Sequence, residues 1–365
     1  MRRSVQALWA AGAAACVLLA SGSAVSAAAD YRWRVIKPTG EEQTFADSAK
    51  AFSDRDLWVF TEDWSDYPSR PLAHHFDGAR WKDVPLPAEV TGKVRLVDGS
   101  PSGLWALADA GQKPSSILHW DGARWTVVKT VGYSGAVWYG LRAFGPRDVR
   151  IFARGKTGTD ILRYDGTRWS SRATSAAGID LVSPLRDGTA WAARGASAAS
   201  ADSAVARWTG AKWTRTTPSR AVLGCKTACT TQVTGLLALS KTKVFASLAV
   251  TERKASSAKG VLVRWNGRKW TLVRRLGAES YGSLVPDGSG GFWAIHGVES
   301  NDAMVVHHTA KGGLVRFPYR VKYDWLLLGV LAAAPDGTVV TFGARDTDKY
   351  EDGEIFLGWR LDRTP

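Results

Sequence analysis

Five copies of one short string constrain this chain more than any other feature. They are Phe76-Asp-Gly-Ala-Arg-Trp81, Trp120-Asp-Gly-Ala-Arg-Trp125, Tyr164-Asp-Gly-Thr-Arg-Trp169, Trp208-Thr-Gly-Ala-Lys-Trp213 and Trp265-Asn-Gly-Arg-Lys-Trp270. Their closing Trp residues are 44, 44, 44 and 57 residues apart. A degenerate sixth copy surrounds His308, and Leu314 falls 44 residues after Trp270. Such a period marks an array in which each unit buries its apolar face only by stacking on the next. Composition selects strands over helices, because the 365 residues include 18 Trp and 37 Gly but only 2 Met. Trp with Gly-rich turns favours strands.

The string reads as a hairpin, since Asp-Gly is a preferred two-residue turn. That turn puts Trp120 opposite Ala123, His119 opposite Arg124 and Leu118 opposite Trp125. One face then carries Leu118, Trp120, Ala123 and Trp125. In three copies it also sets Arg163, Arg207 and Arg264 against a basic turn residue, a mildly unfavourable like-charge pairing. Stacking of a guanidinium on the next unit's Trp would offset that cost. The periodic Trp residues themselves are expected to be core packing, one set per unit.

A second motif precedes each string: a turn, then an apolar strand. It occurs seven times, at Asp56-Leu-Trp58, Gly103-Leu-Trp105, Asp148-Val-Arg150, Thr189-Ala-Trp191, Lys243-Val244, Gly291-Phe-Trp293 and Thr338-Val-Val340. The hairpin aromatics also count to seven, with Trp359 expected as the last. No Trp strand follows Trp359, but Tyr31-Arg-Trp33-Arg-Val-Ile36 stands unpaired at the other end. The chain is therefore expected to be all-β: a seven-bladed β-propeller with four-stranded antiparallel blades. The N-terminal strand closes the C-terminal blade, which leaves no long open edge.

The turn-Asp-Val-Trp and Leu-x-His-Trp-Asp-Gly-x-x-Trp patterns resemble the repeats of secreted bacterial β-propellers of the kelch or galactose-oxidase-like type. The resemblance spans about residues 31–365. It implies the fold and leaves function open, because propellers host binding, scaffolding and many chemistries.

Residues 1–29 read as a signal peptide: Arg2 and Arg3, an uncharged apolar stretch from Ala7 to Ala20, then small residues. Cleavage is expected after Ala27 or Ala29, with residues 30–365 forming a single propeller domain. Secretion follows. The alternative, a lipoprotein at Cys16, is opposed by the apolar Val17-Leu18-Leu19 beyond it. No later segment is long and apolar enough to span a bilayer. Cys225 and Cys229 remain, and an even pair in an exported chain is expected to form a disulfide.

Function must then sit on loops. With strands A to D running from axis to rim, the C–D turn is constant while the B–C segment varies. The B–C and D–A loops emerge on one face, which becomes the candidate recognition face. Trp64, Tyr67 and Tyr350 are aromatics outside the repeat, as are Tyr133, Trp138, Tyr281, Tyr323 and Trp325. Trp138 and Trp325 are alternatively the starts of inner strands. Glu41, Glu42, Glu62, Asp63, Asp66, Asp346, Asp348, Glu351 and Asp352 should gather where blades 1 and 7 meet. Trp64, Tyr67, Asp63, Asp66 and Tyr350 are the expected ligand-binding residues. Asp346, Asp348 and Asp352 are expected oxygen ligands for a structural calcium, although the full EF-hand pattern is lacking. No other cofactor is expected.

The net charge of +14 permits anionic partners. Nucleic acid is disfavoured, because the basic residues recur with the repeat and no recognition motif accompanies them. No Gly-x-Ser-x-Gly, nucleotide loop or His-Glu-x-x-His string occurs, and no catalytic residue is assigned. The six His do not have metal-site spacing. The expected protein is a secreted, non-catalytic binding or scaffold propeller, monomeric, recognising extracellular glycan, cell-wall polymer or protein. The alternative is a glycan-active hydrolase or lyase on the same scaffold.

Overall fold

In the computed structural model, residues 25–27, 31–36, 46–63, 70–109, 111, 113–132, 137–155, 158–175, 179–193, 205–253, 255–297, 303–319, 326–346 and 354–363 are described. They form seven four-stranded antiparallel sheets arranged as a β-propeller. In blade 1, strands A to D are Ala46–Ser53, Asp56–Asp63, Arg70–Phe76 and Trp81–Asp83. Blades 2, 3 and 4 begin at Lys93, Trp138 and Leu181, and blades 5, 6 and 7 at Cys229, Tyr281 and Leu326. In blade 6 the short strand Val25–Ala27 adds a fifth member, parallel to Leu314–Pro318. No helix among the described residues is long and apolar enough to cross a membrane.

The ring closes as the sequence implies. Tyr31–Ile36 pairs antiparallel with Glu354–Arg363, so the outer strand of blade 7 comes from the other end of the chain. The register corrects one expectation. Trp33 opposes Leu361, not Trp359, which faces Val35. Leu361 therefore takes the place of Trp120 in its pair with Trp125, and the fully buried Trp359 lies one step deeper.

The C–D turn corrects another. Trp120 opposes Trp125, His119 opposes Thr126 and Leu118 opposes Val127. The loop is thus four residues, 121–124, rather than two. The Asp side chain is the cause. Asp121 Oδ1 accepts hydrogen bonds from the N–H groups of Ala123 and Arg124, both at 2.9 Å. Asp77 and Asp165 repeat this capture, and Asn266 substitutes for them in blade 5. A carboxylate that caps two turn N–H groups stabilises the longer loop. Gly122, at φ +99°, supplies the left-handed residue. With this register Arg163, Arg207 and Arg264 face Ser170, Thr214 and Thr271, so the expected like-charge pairs do not form.

The B strands are buried on both faces, as Leu104–Ala108 and Val149–Ala153 show, because blades pack on either side of them. Each B-strand Trp receives the hairpin pair of the next blade. Trp58 lies 5.1 and 5.7 Å from Trp120 and Trp125. Trp191 lies 5.5 and 5.8 Å from Trp265 and Trp270. The indoles of the D strands then donate to the preceding blade: Trp213 to Thr174, Trp270 to Thr216 and Trp33 to Phe317. Trp33 follows the same rule as the others, although its strand comes from the opposite terminus.

Blade 3 carries Arg150 where blades 1, 2, 4 and 6 carry Trp58, Trp105, Trp191 and Trp293. Arg150 is held by both oxygens of Asp148 and donates to the carbonyls of Leu185 and Arg186 in blade 4. Arg186 donates back to the Phe144 carbonyl. Polar clamping thus takes that Trp's place at an interface where Tyr139 and Phe152 still pack with Trp208. The cation–π contact onto the next blade's Trp comes from Arg172, 5.0 Å from the Trp208 ring.

Candidate functional site

The ring has two unlike faces. On one, A–B and C–D turns alternate, and the C–D loop is four residues in blades 1 to 5. On the other, the B–C connections run from 155–158 to 194–204 and the D–A connections from 278–280 to 216–228. This loop face is where the blades differ from one another.

At the junction of blades 1 and 2, the loop face holds a buried ionic cluster. Glu62 is the penultimate residue of strand B of blade 1, Asp47 lies at the start of strand A, and Lys93 begins blade 2. Lys93 Nζ is 2.5 Å from Glu62 Oε2 and 3.8 Å from Asp47 Oδ1. Glu62 is 3% exposed. Burial pushes the Asp47 carboxyl up to about 6; Lys93 pulls it down and Glu62 pushes it further up. Asp47 Oδ2 lies buried with no hydrogen-bond partner. A carboxyl that titrates this high changes charge closer to neutrality than an ordinary one, a property found at functional sites and also in structural ion-pair networks. Beside it, Arg95 Nε is 3.5 Å from Asp109 Oδ2. Sequence reasoning placed Glu62 among the loop acids expected where blades 1 and 7 meet, whereas it pairs with Lys93 of blade 2. Its burial shows it to be part of a packed cluster. Asp47 and Lys93 were missed. The available signal was a charged residue at the start of strand A in two adjacent copies.

The seven A strands enclose a central cavity of about 740 Å³. Its wall is mostly apolar, as at Leu141, Leu236, Leu284 and Leu331. One sector is ionic. Asp98 accepts from Lys50 Nζ at 2.6 Å and from the Ala143 N–H at 2.9 Å, with Arg142 Nε 3.4 Å away. This network ties blades 1, 2 and 3 together at the axis.

The His residues occupy repeat positions. His75 and His307 stack on Trp58 and Trp293, with ring centroids 4.2 and 4.1 Å apart, and each meets an Asp at the turn. His308 replaces a hairpin aromatic, stacks on Phe292 and bonds Tyr281. Burial, with Arg274 and His307 nearby, drives its pKa down to about 3, so it is neutral. Among the described residues no group of three or more His, Cys, Asp or Glu is arranged to hold a metal.

Cys225 and Cys229 are disulfide-bonded. Of the non-repeat aromatics, Trp138 and Tyr281 prove to be buried starts of inner strands. Trp64, Asp66, Tyr67, Asp348, Tyr350 and Asp352 lie outside the described residues, as do Tyr133, Tyr323 and Trp325. Asp63 and Asp346 are the last residues of the B strands of blades 1 and 7, which places both at the loop-face ends of those strands.

No family model matches the chain, and no curated protein matches it by sequence. Solved structures match its fold. YCF48 bound to D1 peptide is 13% identical at a TM-score of 0.59, covering 94% of this chain and 98% of that one. The RRP9 WD40 repeats are 11% identical at 0.59, covering 93% and 99%. The GH74 xyloglucanase from Xanthomonas campestris is 12% identical at 0.54, covering 89% of this chain and 55% of that one. At these identities the likeness concerns the fold alone: this chain is built as a seven-bladed β-propeller.

Proposed function

We propose that this protein is a secreted, non-catalytic binding scaffold that recognises glycan, cell-wall polymer or protein through its B–C/D–A loop face. The observation that carries the reading is the contrast between faces: a Trp-packed scaffold keeps its C–D loop at four residues in blades 1 to 5 on one face, while the B–C and D–A connections on the other face vary in length. The disulfide agrees with an oxidising, extracellular setting. Propellers of this shape include one solved with a bound peptide. Removal of residues 1–27 or 1–29 as a signal peptide would also strip Val25–Ala27 from blade 6 and leave it with four strands.

Within this reading, Trp64, Tyr67 and Tyr350 form the stacking surface, with Asp63 and Asp66 beside them. Asp346, Asp348 and Asp352 hold a calcium ion. Calorimetric titration with millimolar Ca²⁺ should give heat that Asp346→Asn with Asp348→Asn abolishes; absence of heat removes the metal.

One observation favours the alternative, a glycan-active hydrolase or lyase: Asp47 has a carboxyl poised near neutrality beside Glu62. Arrays of glycans, cell-wall polymers and peptides, read for both retention and product, separate the two. Retention without product supports the scaffold. Product that disappears in Asp47→Asn supports the enzyme.

A further inference from the structure

Blade 5 carries structure that the propeller does not need. Its D–A approach contains a short helix, Arg220–Leu223, followed by the disulfide loop that leads into strand A. The helix is finished at both ends. Ser219 accepts from the Val222 N–H, and Gly224 closes it at φ +79°. The Arg275 guanidinium lies against Gly224, where any Cβ would collide with it, and donates to the Leu223 carbonyl. Arg253 N–H bonds Ala228 O at 2.8 Å. Among the described residues no other blade has a helix in its approach, so its fixed position requires another explanation.

The helix walls a cavity of about 360 Å³ on the loop face. Leu223 and Val250 are its buried apolar floor. Gly260 and Gly277 line it without side chains, and Ala258 stands at its edge. Gly260 cannot be enlarged, because a Cβ there would lie 1.8 Å from Glu279 O. The rim carries Lys259 and Arg275 against Glu252, an excess of positive charge. A cavity of this size, apolar within and with few polar groups at its edge, suits a small ligand.

We propose that this pocket binds a small organic acid, a compact apolar body bearing one carboxylate. The body fills the space above Leu223, Val250 and the glycines. The carboxylate meets Lys259 and the guanidinium that Leu223 O holds in place. Arg suits this role because its fork of donors matches a carboxylate. The disulfide keeps the helical wall in position and so acts on the pocket, not on the ring. This goes beyond the macromolecular recognition proposed above, since it concerns a small ligand and another blade.

Calorimetric titration with 3-phenylpropionate and with hexanoate tests it. Saturable binding is expected for at least one acid. The matching alcohol should bind about tenfold more weakly, because it lacks the charge-assisted contact. Ala258→Trp or Ser257→Trp should abolish binding while leaving Tm unchanged, and Lys259→Met should weaken only the acid. Joint replacement of Cys225 and Cys229 by Ser should weaken binding severalfold in a protein that still melts cooperatively. Absence of saturable binding by either acid overturns the proposal. So does equal affinity for acid and alcohol, or binding undiminished in both folded Trp variants.

Discussion

The two faces of the ring use their carboxylates in opposite ways. On the turn face Asp77, Asp121 and Asp165 are held below the usual carboxylate range, Asp77 by Lys82 and then its turn backbone, Asp121 and Asp165 chiefly by hydrogen bonds from their own turn backbone. Asp187 and Asp287 are also lowered there, by bonds from Thr189 and from His307 and Ser289 that outweigh partial burial. On the loop face Asp47 moves the other way, to about 6, because burial outweighs Lys93. The turn face thus spends its acids on local geometry, and the same device repeats from blade to blade. The loop face retains an acid whose charge is not fixed by the fold.

The contrast presupposes a closed ring, so the largest effect should come from opening it. Deleting residues 31–38 removes the D strand of blade 7 and exposes both the long edge of Glu354–Arg363 and the Trp359 core. The melting temperature should fall by at least roughly 10 °C, with loss of cooperativity. A deletion that melts like the parent would mean that closure contributes nothing.

Acid should separate the faces. A turn-face Asp has a lowered folded pKa, so its stabilisation is present above the unfolded value and is lost as pH falls through the folded one. Asp47 has a raised folded pKa, so its contribution is complete below the unfolded value of 3.8 and is lost as pH rises through about 6. Asp47→Asn should therefore stabilise by about 2 kcal/mol at pH 8 and give no gain at pH 4. Urea midpoints at the two pH values check this. A gain equal at both would show that the cause is packing and not charge.

Breaking the disulfide should cost less. The bridge closes a loop of sequence separation 4, so Cys225→Ser with Cys229→Ser should lower stability by about 2 kcal/mol at most. Hydrogen exchange should rise in 220–229 and hardly elsewhere. Exchange rising across all seven blades would contradict the local role. The smallest effect is expected at one turn. Asp121→Ala should release the amides of Ala123 and Arg124 to exchange and lower Tm slightly, without altering the Trp120–Trp125 pair. A register shift in that hairpin would show that the Asp side chain sets the pairing as well as the loop.

The string of aromatics and Gly was enough to read strands, blade number and closure, because each depends on spacing along the chain, and the cysteine pair followed from an even count. Turn length was not readable from Asp-Gly alone. Two loops suit that dipeptide, and the hydrogen bonds of Asp121 decide between them. The Leu361 position was hidden for a similar reason: an aromatic count picks Trp359, whereas pairing across the termini picks the residue facing Trp33.

What sequence determined here is the unit and the number of its copies, since period-2 burial and turn chemistry act within one blade. Tertiary structure alone decided which unlike residues meet between units. Asp47, Glu62 and Lys93 come from three strands of two blades. Arg150 finds the carbonyls of Leu185 and Arg186 only because blade 4 stacks beside it. The blade 5 pocket needs strands B, C and D under a helix from another connection. Such meetings depend on how blades rotate around the axis and on how far charges are buried, and neither quantity is written in local spacing.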